Sequence, residues 1–169
     1  KEVARIMEIL KRNKAVTIQE AKDQADRDRL WAARRSANGV FAKLSPNFLS
    51  EDVTVPVSKV PAMIRACTEI ATGYGLRIGI LAHAGDGNLH PMIPGDSKNK
   101  EEYAKIHKAF DDIYRVAADM GGTLSGEHGI GNAKAPYLPL VMNQDTIEFL
   151  STIKRAVDPD NILNPGKFA

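Results

Sequence analysis

Leu76-Arg77-Ile78-Gly79-Ile80-Leu81-Ala82-His83-Ala84-Gly85-Asp86-Gly87-Asn88-Leu89-His90-Pro91-Met92-Ile93 is the stretch that decides the fold. Leu76, Ile78, Ile80 and Ala82 recur at every second position, the period of a half-buried strand, and that strand runs straight into His83. Leu89 to Ile93 reads as the return strand. Between them, Gly85-Asp86-Gly87-Asn88 is made of turn-forming pairs, so the whole is a hairpin.

Upstream of the hairpin, Val53, Val55 and Val57 alternate with Thr54 and Pro56, as in a short strand whose proline places its end at an edge. Val60, Met63, Ile64, Cys67, Ile70 and Ala71 then repeat at helical spacing, and that helix stops near Gly73 and Gly75. Downstream, Asn99 and Glu102 cap a long helix with Tyr103, Ile106, Phe110, Ile113, Ala117 and Met120 on its core face. Gly121-Gly122 ends it, and a short strand is expected near Thr123 to Ser125. Prolines break the segment from Ala135 to Met142. Asp145 to Val157 forms a last helix before the tail Asp158 to Lys167.

At the other end of the chain, Val3, Ile6, Met7 and Leu10 mark a short opening helix. Thr17 and Glu20 make a capping-box pair that would start a second helix running to the late thirties. Its charged first half, Lys22 to Arg29, should be solvated, and its second half, Leu30 to Arg35, should pack. A loop with Gly39, Ser45, Pro46 and Asn47 follows. Strands separated by helices, with one antiparallel pair, give an α+β class. The expected architecture is a ferredoxin-like plait, an antiparallel sheet with helices packed mainly on one face, as one domain over residues 1–169.

Composition narrows the partners. The 169 residues carry a formal charge of only +2 and 26% charged side chains, and the basic residues are scattered, with no basic stripe interleaved with aromatics. Nucleic acid is therefore not an expected partner. No apolar run approaches the roughly 20 residues of a membrane span, and no signal-peptide pattern opens the chain. The single cysteine, Cys67, excludes an internal disulfide, fits a reducing compartment and reads as core filler. The chain begins without methionine and inside a helical pattern, which suggests a piece of a longer protein.

Three of the four histidines fall in two glycine-rich stretches, His83 to Pro91 and Ser125-Gly126-Glu127-His128-Gly129-Ile130-Gly131. The hairpin can bring the His83 and His90 rings to one side of the sheet, and Glu127, at the end of another strand, could supply a third ligand. Two imidazoles and a carboxylate with an open position suit Zn²⁺ or a related divalent ion. The competing reading is two histidines bonded to nearby backbone carbonyls. The Gly85 to Asn88 segment could also be a phosphate cradle, but it lacks the Lys-Ser/Thr ending of a P-loop and the helix after it. His128 either accepts a proton, for which a histidine's ordinary pKa of about 6.5 is suited, or shapes its loop. His107 stands alone on a helix and reads as structural or solvent-facing. Arg34 is a surface charge by composition alone. Its position argues otherwise, since Trp31 could anchor the turn and aim the guanidinium at a carboxylate.

Taken together, Leu30-Trp31 with Arg34, Glu51-Asp52-Val53 leading to Pro56, the two histidine stretches, and Asp158-Pro159 with Asn161 to Lys167 resemble the C-terminal domain of FAD-linked oxidases of the vanillyl-alcohol oxidase type. The resemblance covers essentially the whole chain and lies closest to the glycolate oxidase and D-lactate dehydrogenase branches. It implies a substrate-binding, catalytic domain of a flavin-dependent 2-hydroxy-acid dehydrogenase that turns glycolate or D-lactate into the 2-oxo acid and passes a hydride to FAD. On that resemblance His83, His90 and Glu127 hold a divalent metal such as zinc, His128 takes the hydroxyl proton, Arg34 holds the substrate carboxylate, and Asn164 approaches the flavin. Ser50 and Met92 stand where D-2-hydroxyglutarate dehydrogenases carry lysine and asparagine, which favours a small substrate.

The resemblance further implies an N-terminal FAD-binding domain that this chain does not include, so the isolated fragment is expected to bind FAD weakly and to be inactive. Its partners would be that domain, a small 2-hydroxy acid and other oxidase subunits. Its place would be the cytoplasm, peripheral to the inner face of a membrane. A non-enzymatic metal-binding or interaction module on the same fold is the alternative from another class.

Overall fold

A computed structural model describes residues 2–167. The chain forms two compact units, with the boundary between Val40 and Phe41.

The first unit consists of α1 (Glu2–Arg12) and most of α2 (Gln24–Phe41). Lys14, at a φ of 59°, turns the backbone out of α1. The expected start of α2 at Thr17 is corrected by the structure. Asp23 Oδ1 accepts the Asp26 N–H at 2.8 Å, so the cap falls at Asp23, and Thr17 and Glu20 lie in irregular chain before it. Charged residues of the first half of α2 are solvated as expected. The Leu30 to Arg35 turn is not packed within this unit, since Trp31 keeps 53% of its surface exposed.

In the second unit, β4 (Asn88–Gly95) is the central strand and is buried along its whole length. β3 (Gly79–His83) pairs antiparallel with one side of it, with Leu81 opposite His90 and His83 opposite Asn88. Two short strands share its other side. β1 (Asn47–Ser50) sets Leu49 opposite Ile93, and β2 (Val53–Thr54) sets Val53 opposite Leu89. Thr123 exchanges both backbone hydrogen bonds with Thr54, at 2.8 and 3.0 Å. Read across the sheet, the order is Thr123, β1/β2, β4, β3, which is the split β-α-β order of the plait with its last strand reduced to one bridge.

Two strand expectations change. The strand read over Val53 to Val57 begins at Asn47, breaks at Glu51-Asp52 and ends at Thr54, and Val57 opens a 3-10 turn (Val57–Lys59). Asn47 is therefore strand and not loop. The strand read over Thr123 to Ser125 is limited to Thr123, because Ser125 and its successors turn towards Asp52.

Side-chain alternation splits β4 between two surfaces. Leu89 and Ile93 face α3 (Val60–Gly73) and α4 (Lys100–Asp119) and join Val53, Met63, Cys67, Ile106, Phe110 and Ile113 in one apolar core. Burial pushes the Cys67 thiol up to about 12, in keeping with a core side chain. Asn88, His90 and Met92 face the other way. On that surface Phe41 lies across Gly79, where a Cβ would collide with its ring. α5 (Gly131–Lys134), a 3-10 stretch (Ala135–Leu140) and α6 (Gln144–Val157) complete the unit. No described helix is long and apolar enough to cross a membrane.

Candidate functional site

The hairpin register sets the first two side chains. Leu81 pairs with His90, so His83, two residues further along β3, projects on the same surface as His90. The ring centroids are 5.5 Å apart and almost perpendicular. Gly87, at a φ of 80°, closes the hairpin where a Cβ would strike the Val55 carbonyl, and its own carbonyl accepts the Val55 N–H at 3.0 Å. The turn is thus tied to the neighbouring segment, and His83 is held at a fixed end of β3.

The second histidine stretch reaches the same surface from the far edge of the sheet. Glu127 Oε1 lies 2.9 Å from His90 Nε2, 3.6 Å from His83 Nε2 and 3.9 Å from His128 Nε2. The His128 ring stacks on His90 at 5.1 Å. Three imidazoles therefore converge on one carboxylate oxygen. His90 is the buried member of the set, whereas His83, Glu127 and His128 are about half exposed.

His83, His90 and Glu127 each place one ligand atom within 4.8 Å of the other two. A tetrahedral zinc ion with bonds of about 2.0–2.1 Å spaces its donors about 3.4 Å apart. The donor set fits such an ion in chemistry, and the 2.9 and 3.6 Å separations from Glu127 Oε1 bracket that spacing. The open side is a recess of about 280 Å³ lined by Thr54, His83, Asp86, Asn88, Gly126 and Glu127. Asn88 is buried there, and its Oδ1 accepts the Thr54 hydroxyl at 3.3 Å.

The loop bearing Glu127 and His128 is held by Asp52. Its carboxylate accepts hydrogen bonds from the Ser125 hydroxyl and from the backbone N–H groups of Gly126, Glu127 and His128. Burial by itself would push this carboxyl up, but the Ser125 hydroxyl and the three N–H groups outweigh it and hold the pKa well below the usual carboxylate range. Lys134, itself buried, closes the far end of the segment on Glu51, 3.3 Å away. Tyr114 stands beside this pair, its hydroxyl pushed far up by burial and by Glu51.

Of the residues singled out in the sequence, the structure brings His83, His90, Glu127 and His128 together. Arg34 is an exposed residue of α2 in the first unit, in a shallow hollow with Leu30 and Trp31. Asn164, at a φ of 50°, lines a separate recess with Lys154, Leu163 and Lys167. His107 is solvent-facing, edge-on to Tyr103 at 5.0 Å. The sequence reading gave no chemical task to Asp52, Thr54, Asn88 or Lys134. An acidic residue set immediately before the alternating Val53, Thr54 and Val55 was the available signal for Asp52.

A family model described as "FAD linked oxidases, C-terminal domain" matches residues 1–168. Among curated proteins, glycolate oxidase subunit GlcD of Bacillus subtilis is 42% identical over 167 residues, which is 99% of this chain and 36% of that protein. The Escherichia coli K12 subunit of the same name is 36% identical, over 96% of this chain and 33% of its own length. The mitochondrial D-lactate dehydrogenase [cytochrome] of Kluyveromyces lactis is 35% identical, over 87% of this chain and 26% of its own. The chain spans about a third of the length of the curated relatives it matches.

Proposed function

Because the chain belongs to the C-terminal-domain family of FAD-linked oxidases, we propose that it forms the substrate side of a flavin-dependent 2-hydroxy-acid dehydrogenase acting on a small acid such as glycolate or D-lactate. The observation that carries this reading is the convergence of three imidazoles on Glu127 Oε1 beside an open recess lined by Thr54, Asp86 and Asn88. The relatives, named as oxidases and dehydrogenases, favour an enzyme over a non-enzymatic module.

In this reading the substrate lies in the recess with its hydroxyl at the histidine cluster. His83, His90 and Glu127 would hold a divalent ion such as zinc, whose charge favours loss of the hydroxyl proton. His128 takes that proton in this reading, which is supported by its Nε2 lying 3.9 Å from Glu127 Oε1 and by its half-exposed ring. His90 supports the His128 ring by stacking. Arg34 is kept as a carboxylate-binding residue on the family resemblance alone, since a guanidinium offers two parallel donors.

The flavin supplies the hydride acceptor. Its pyrophosphate has no seat in the hairpin, since Gly85-Asp86-Gly87 joins two strands and not a strand to a helix N-terminus. That part of the cofactor is assigned to another domain of the whole protein, with Asn164 approaching the ring system. Other oxidase subunits are the expected partners, as the word "subunit" in the names of the GlcD relatives suggests.

The test uses the whole protein that carries this chain, with glycolate and D-lactate as substrates and dye reduction as the readout. His128→Ala is expected to lower kcat by about 10²–10⁴-fold, the usual worth of a general base. Glu127→Gln is expected to lower both kcat/KM and Zn²⁺ retention. Full activity in both variants would remove the assignment.

A further inference from the structure

The β1–β2 break is where the sheet interrupts its ladder, and Asp52 sits in that break with no exposed surface. Its Oδ1 accepts the Gly126 N–H at 2.9 Å. Its Oδ2 accepts the Ser125 hydroxyl at 2.7 Å and the N–H groups of Glu127 and His128 at 3.0 and 2.8 Å. The Ser125 hydroxyl oxygen accepts in turn from the Gly129 N–H at 2.8 Å. Three consecutive N–H groups can meet one carboxylate only if the backbone curls around it. That curl fixes the directions in which the Glu127 and His128 side chains leave the chain.

The same break holds the other end of the segment. The Lys134 ammonium donates to the Asp52 carbonyl at 2.8 Å and stands 3.3 Å from a Glu51 oxygen. Two adjacent residues therefore pin the segment from Ser125 to Lys134 at both ends. Neither Asp52 oxygen lines the recess, so whatever Asp52 does for the site passes through the loop.

We propose that Asp52 is the positioning residue of the centre, setting the loop so that Glu127 Oε1 meets the His83 and His90 nitrogens and His128 lies on His90. This inference rests on the reading of His83, His90 and Glu127 as the ion-holding set. A carboxylate serving stability alone would be felt throughout the unit. A positioning carboxylate acts at the loop and on the ion, and leaves the helices as they were.

The whole chain, titrated with Zn²⁺ and with Co²⁺, separates the two. The series comprises wild type, Asp52→Asn, Glu127→Gln and the core control Ile113→Val. Wild type is expected to bind one ion and Glu127→Gln to lose it. Asp52→Asn is expected to bind about 10–100-fold more weakly, the usual cost of losing an outer partner of a ligand, and to change the Co²⁺ visible spectrum. Ile113→Val is expected to bind as wild type does. Amide exchange should rise at Gly126, Glu127 and His128 in Asp52→Asn while β4 and α4 stay protected.

Wild-type affinity, spectrum and exchange in Asp52→Asn would overturn the inference and leave the ligand set standing. A wild-type chain that binds neither ion would overturn the ligand set, and amide exchange then decides on Asp52. Loss confined to residues 126–128 supports its role, and uniform loss across the unit refutes it. If Asp52→Asn does not fold, Ser125→Ala, which removes one of the four donors, is expected to show the same local pattern at smaller size.

Discussion

Gly126 lies where any side chain would collide: a Cβ there would stand 2.5 Å from Thr54 Oγ1 and 2.7 Å from Asn88 Cγ. Gly126→Ala must therefore lift the loop away from the sheet or displace Asn88. We expect it to cost about 1–3 kcal/mol in a urea unfolding curve, the usual range for overpacking. We also expect Zn²⁺ binding by the chain, measured by calorimetry, to weaken. Unchanged affinity would show that the loop has more room than its neighbours suggest. Lys134 makes the opposite case, a buried cation whose removal leaves Glu51 without its partner beside Tyr114. Lys134→Met is expected to destabilise the unit by about 3 kcal/mol in the same assay, because the surviving charge keeps its desolvation cost and loses its compensation.

Among the elements, α4 is the one whose ends follow most directly from local chemistry. Asn99 Oδ1 accepts the Glu102 N–H at 3.2 Å, and the Glu102 carboxylate accepts the Asp96 N–H at 2.9 Å instead of returning to Asn99. Asn99→Ala should cost about 1 kcal/mol by thermal or urea unfolding, as for other helix caps, and no measurable change would mean that Glu102 alone orders this end. α3, α4, α6, the hairpin and the split β-α-β order were legible because each has a clear period or a strong turn signal. β1 was not legible. Its four residues, Asn47-Phe48-Leu49-Ser50, carry only two apolar side chains and follow a proline, and they become strand because β4 offers them an antiparallel partner. The start of α2 was misplaced because Thr17 and Glu20 imitate a capping box, while the working cap is the Asp23 carboxylate. At the site, the histidines and Glu127 were legible as chemistry-bearing residues in glycine-rich chain. Asp52 was legible only as part of a motif, since its task depends on donors more than seventy positions away.

The whole molecule should feel its carboxylates at acid pH. Asp52 is held well below the ordinary range despite its burial, and Asp158 is lowered by Lys154 and by the Ile162 and Leu163 N–H groups. A carboxyl depressed in the folded state gives stability that is whole above its unfolded pKa of about 3.9 and is lost as pH falls towards the depressed value. Urea midpoints are therefore expected to hold steady down to about pH 5 and then to drop below about pH 4. Asp158→Asn should flatten that acid limb, and an equally steep limb in the variant would show that other groups set it. On the alkaline side the sign reverses. The Cys67 thiol, raised to about 12, favours the folded state fully below an unfolded value of about 8.5 and progressively less above it.

The distance along the chain between Asp52 and its donors also bears on the order in which the centre can come into being. His83 and His90 are seven positions apart on one hairpin and can meet as soon as that hairpin closes, whereas Asp52 waits for donors 73 to 76 positions later. Contacts of that span close slowly, because the loop entropy must be met before the contact returns anything. On a ribosome the two imidazoles would stand ready well before Ser125 to His128 emerge, with Asp52 still solvated. Completion of the cluster is thus a late event of synthesis, and a chain cut short before Ser125 would present two of the three ligands on a sheet with an unfilled notch.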